Sequence, residues 1–292
     1  MKLKIAPPAK RFAGGAILSG KQANRKSLMC CFSGRVTSVS STKIFARCAG
    51  DRQFLVYELS LDAPSEVAMI LPLPVAADGS DPIFFIDLSG YPEFFKDMAK
   101  GFPLPGSTLR CCPVSASPRR PRLEVVHVGS FEASFVPSLA DFDRVDERFK
   151  IAPEVWTKMP EYRDYSFVVF KFKAGQQNIH PMAFSFSTRA PGQLYFPTVH
   201  VHDGKWHRKA DFDHELYCQA DSKPSGCRSS SSQASAVMQM NHALSGDCTR
   251  GTVAGDQLFY RRDIVGEHPN EDIWMPERPK RSFIKNLTSW FK

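Results

Sequence analysis

The chain has 292 residues, 42% of them hydrophobic and 23% charged, with 23 phenylalanines. That is enough to bury a real core in one large or two small domains, and it excludes a disordered or fibrous chain. The formal charge of +8 belongs to one end, because residues 1–50 hold ten Lys or Arg and no acid, leaving 28 basic and 30 acidic residues beyond. A body with balanced charge lacks the basic stripe that phosphate binding needs, so no specific nucleic-acid partner is expected.

Residues 1–28 read as a basic leader, expected to be disordered, with Pro7-Pro8 and Gly14-Gly15 breaking any regular element. Either it is a targeting segment or translation begins at Met29, and the second reading is preferred. Gly15 to Gln22 nearly spells a phosphate loop. Gln22 stands where the magnesium-holding Ser or Thr belongs, and no strand precedes it. No run reaches the roughly 20 apolar residues of a membrane-spanning helix. Eight cysteines in a chain of this length do not form a disulfide scaffold, and reduced thiols in a cytoplasm are the expectation.

From Gly34 to Ser60, short runs rich in Val, Ile, Phe and Tyr predict strands. Residues 67–74, VAMILPLP, suit a buried strand ending at an edge or turn. Pro82–Leu88 predicts a further strand, and Tyr91–Gly101 a helix with Pro92 in its first turn. Five prolines mark 102–122 as a loop, and a strand pair, LEVVHVG and FEASFVP, follows. Leu139, Phe142 and Val145 alternate with acids at helical spacing, so Ser138–Phe149 and Pro153–Tyr162 predict short helices. Three strands are then expected: Tyr165–Lys173, His180–Thr188 and Leu194–His202. Residues 219–235 form a Ser-rich linker or loop. Residues 236–292 read as an extension with a short helix, a strand at Gln257–Arg261 and a terminal amphipathic helix. That helix, within 282–292, is a candidate contact for a second copy of the chain or for a membrane surface.

The reactive side chains concentrate between Phe196 and Cys218, where four of the eight histidines fall. His200 and His202 alternate with Val199 and Val201. On a strand the valines face one way and the histidines the other, about 7 Å apart. Two imidazoles so presented suit one zinc ion, which takes ligands at about 2.0–2.1 Å. Asp203-Gly204 signals a turn that returns the chain along a neighbouring strand. His214 is then the third candidate ligand, with Cys218 and His180 ranked below it. Asp203 and Asp213 are the candidate bases or imidazole-orienting groups. The competing reading is a solvated sheet face that carries histidines without chemistry. No H-E-x-x-H, C-x-x-C or G-x-S-x-G motif occurs. Cys218 and His214 lie about 13 Å apart along a strand, too far to act as a nucleophile pair.

Three stretches together resemble a broad bacterial family of unknown function. They are MCCFSGRVTSVSSTKIFAR from Met29, the strand Ala68-Met69-Ile70-Leu71-Pro72-Leu73-Pro74, and FVVFKFKAG followed by Pro181-Met182-Ala183-Phe184-Ser185-Phe186. The second is similar to that family's aromatic-x-[IV]-[LV]-P-[LV]-P strand, with Ala68 in the aromatic position. The resemblance spans about residues 29–218. It implies a β-rich domain from a bacterial source and assigns no activity.

The expected architecture is therefore α+β and β-rich: a mainly antiparallel sheet or sandwich over 29–218 with a few short helices. Two functions are carried forward. One is a non-catalytic binding or structural domain. The other is a zinc-dependent, hydrolase-like enzyme built on His200, His202 and His214.

Overall fold

The computed structural model describes residues 30–77, 83–103, 126–128, 131–201, 203–230, 240–241, 243–244, 247–255 and 257–276. The basic leader, most of the 102–122 loop, the terminal amphipathic helix and His202 lie outside the described residues.

The chain is β-rich, with mainly antiparallel sheets and few short helices. Two sheets make the body. The larger has seven strands: β2 (Ser38–Ala49), β3 (Arg52–Ala63), β5 (Ile83–Asp87), β9 (Gly175–Ser187), β11 (Lys209–Gln219), β12 (Arg228–Ser229) and β13 (Phe259–Pro269). Their order is β12-β13-β11-β2-β3-β9-β5, and β11 beside β2 is its parallel pair. The smaller sheet comprises β1 (Cys31–Phe32), β4 (Val67–Leu73), β6 (Val126–Val128), β7 (Phe131–Val136) and β8 (Ser166–Phe172), ordered β1-β4-β8-β7-β6. A two-stranded ribbon pairs β10 (Gln193–Phe196) with β14 (Ile273–Pro276).

Strand alternation builds three apolar layers from this pairing. Between the sheets lies the main core. Leu55, Tyr57, Phe184, Leu216 and Ile264 of the large sheet meet Met69, Leu71, Val168 and Phe170 of the small one. The other face of the small sheet carries Ala68, Ile70, Phe167 and Val169. Short helical turns at Leu139–Arg144, Glu147–Phe149 and Pro160–Tyr162, with α2 (Pro153–Trp156), cover it. The helical periodicity expected over 138–162 is thus spent on short turns, each contributing one buried ring. The outer face of the large sheet, with Phe45, Val56 and Tyr217, lies under α1 (Phe94–Ala99) and Met240. Because β4 is covered on both faces, all seven of its residues are buried, which explains an apolar run without alternation.

The strand expected after Ser-rich residues 219–235 completes the large sheet. β13 pairs with β11 along its whole length, from Lys209 opposite Pro269 to Gln219 opposite Phe259. The six described cysteines, Cys30, Cys31, Cys48, Cys218, Cys227 and Cys248, are free thiols. Among the described residues no helix is long and apolar enough to cross a membrane.

Candidate functional site

The chain between β10 and β11 is extended, yet its ladder ends at Phe196, short of the expected His202. Pro197 has no N–H to give a ladder. The next amides bond side chains of the turn between β13 and β14. Thr198 and Val199 donate to Asp272 Oδ1 at 2.7 and 2.9 Å, and His200 N–H donates to Asn270 Oδ1 at 2.7 Å. Asn270 Nδ2 returns bonds to the His200 and His207 carbonyls, both at 2.9 Å. Val201 then bridges to β1: it donates to the Cys30 carbonyl at 3.1 Å and accepts from Phe32 N–H at 2.7 Å.

This tether holds the segment on edge between the sheets. Val199 and Val201 enter the cluster beneath the small sheet. His200 turns the other way, onto Phe212 at 4.3 Å between ring centroids. His214 stacks on His200 at 5.3 Å and 13°, and on Phe212 at 5.1 Å. Both imidazoles are 1% exposed. Burial lowers the His214 pKa to about 3, so its ring is neutral at ordinary pH. Stacked rings aim their in-plane nitrogens along near-parallel planes rather than at a common point. Among the described residues no three His, Cys, Asp or Glu side chains gather in a way that would hold an ion.

The remaining candidate residues lie apart from this pair. Phe212 and His214 face the inner core, so Asp213 between them points to the opposite face of β11. There it accepts from Ser41 N–H at 3.2 Å and from Thr42 N–H, at the bulge where β2 slips register and Ser41 takes φ +56°. Burial pushes its carboxyl up to about 6 against those two bonds. Asp203 is on the surface, 2.9 Å from His207 Nε2. The turn expected at Asp203-Gly204 is present, with Gly204 at φ +74°. His180 packs on Phe131, with centroids 4.8 Å apart. Cys218 hydrogen-bonds to Cys227, not to a histidine. Burial holds the Cys30 thiol up at about 12, far from a nucleophilic thiolate.

No family model matches the chain. The overall path is similar to that of baculovirus P35. Its crystal structure aligns at a TM-score of 0.45 and 10% identity, over 85% of this chain and 99% of that one. A structure of a mutated baculovirus P35 after caspase cleavage aligns at 0.43 and 10%, over 82% and 98%. P35 in its complex with caspase-8 aligns at 0.44 and 10%, over 81% and 96%.

Sequence reasoning missed the residue that organises this region, Asp272. Its carboxylate faces inward and collects four donors: Thr198 N–H, Val199 N–H, Tyr162 Oη at 2.7 Å and Tyr195 Oη. Burial pushes its pKa up to about 6 against the pull of those bonds. The available signal was the polar triplet Asn270-Glu271-Asp272 between two strands. Such a triplet ordinarily marks a solvated turn, and only the fold supplies the two tyrosines.

Proposed function

We propose that this chain is a non-catalytic binding or structural domain, a two-sheet scaffold whose histidine cluster serves packing. The observation that supports this is the burial of its most reactive-looking group. His200 and His214 are each 1% exposed and stacked on Phe212, with His214 held neutral. A general base must reach its substrate and hold a pKa near the working pH. An imidazole titrating near 3 inside a packed core meets neither condition.

Metal analysis separates this reading from the zinc-dependent, hydrolase-like one. The purified full chain should carry far less than one zinc per molecule, and added zinc should leave its melting temperature unchanged. One zinc per chain, lost in a His200→Ala/His202→Ala double variant, would overturn the proposal. It would favour a metal centre that includes His200 and His202, with His214 as the third candidate ligand.

A further inference from the structure

Further along β11 from His214, three sulfur atoms form a chain of contacts. Cys218 lies at the end of that strand and Cys227 immediately before β12. The Cys218 thiol hydrogen-bonds to the Cys227 sulfur. Cys227 Sγ in turn donates to Met275 Sδ of β14 at 3.7 Å. All three belong to the main core, with exposures of 1%, 6% and 3%. Metal–sulfur bonds of about 2.3 Å separate the sulfurs of a trigonal or tetrahedral centre by roughly 3.8–4.0 Å. The Cys227–Met275 separation of 3.7 Å falls just short of that spacing, so a cation bridging this pair would need only a small outward movement of those two sulfurs.

The donor set decides which cation. Two thiols and a thioether are soft ligands, which favour cuprous copper over magnesium or calcium. Lys223 and Arg262 lie close enough for their charge to act at Cys227. They offset the negative charge that a bis-thiolate complex leaves in the core.

We propose that Cys218, Cys227 and Met275 form a binding site for a soft monovalent cation of the cuprous class. Binding releases one proton from each thiol and forms two thiolate bonds and one thioether bond to the cation. The oxidation state of the metal and of the sulfurs is unchanged. The site uses neither His200 nor His214, so it stands or falls independently of the zinc question.

The test titrates the reduced full chain, without oxygen, with cuprous ion buffered by a chromogenic chelator. Wild type should withdraw one equivalent and gain thermal stability. Met275→Leu, which keeps the side-chain volume, should weaken uptake at least tenfold with unchanged circular dichroism. Cys218→Ala/Cys227→Ala should lose that equivalent altogether. Should the double variant not fold, Met275→Leu and the single variant Cys227→Ala carry the same test. No uptake by wild type would overturn the proposal, as would unchanged uptake by the folded variants. So would a Cys218–Cys227 disulfide recovered from protein never exposed to oxidant.

Discussion

A neutral imidazole in a core has a cost that pH reveals. His214 has neither ring nitrogen hydrogen-bonded among the described residues. Its folded pKa of about 3 lies below the ordinary value of 6.5. Between those pH values the unfolded chain binds a proton that the folded chain refuses. The stability tied to neutral His214 is therefore present above pH 6.5 and lost as pH falls towards 3, by about 3 kcal/mol at pH 4. Asp213 and Asp272, both raised to about 6, act oppositely and favour the folded state as they protonate below that pH. A wild-type pH curve thus mixes opposing contributions, whereas a His214→Phe variant isolates one. Its stability relative to wild type should rise by about 3 kcal/mol between pH 7 and pH 4 in urea unfolding. A difference that stays flat would mean that water reaches the ring. Asp272→Asn cannot accept from four donors at once, and should cost about 2–4 kcal/mol at pH 7. Faster amide exchange at Thr198 and Val199 would show the tether loosened.

At the scale of elements, what neighbours a strand decided what its pattern meant. The bulge in β2 places Ser41 in the left-handed region, and Asp213 of the parallel neighbour β11 caps its amide. Asp213→Ala should lose about 1–2 kcal/mol by uncovering that cap. Ser41→Gly should gain a few tenths of a kcal/mol by removing the backbone strain. Denaturant midpoints check both, and an unperturbed Asp213→Ala would deny the cap any structural role. The strand pattern was legible wherever ladders run: β2 and β3 occupy the expected Gly34–Ser60 stretch and overrun it to Ala63, β8 matches Tyr165–Lys173 to within one residue at each end, and β9 ends one residue from the expected Thr188 but begins at Gly175, before His180. It failed at Leu194–His202. Alternation of Val199, His200 and Val201 was read correctly as an extended segment. The partners of that segment are side chains 70 or more residues away, which no local pattern announces.

Across the whole molecule, β12 and β13, which lie beyond Cys218, are part of the large sheet. β13 shields one side of β11, β14 pairs with β10, and Asp272 between them anchors the 198–201 segment. A chain ended at Ala220 should lose its cooperative thermal transition, because β11 would become an exposed edge and the tether would vanish. A sharp transition in that fragment would show residues 30–218 to be self-sufficient. By itself the sequence determined the β-rich class, the buried run of β4, and the opposite facing of Val199 and His200. Those follow from periodicities written within a few adjacent residues. Tertiary structure alone decided that His200 meets His214 in a buried core, that Asp213 caps a bulge on the far face, and that Asp272 holds the junction. Each of these depends on which distant strands become neighbours, and hydrophobic alternation is the same whichever partner a strand finds.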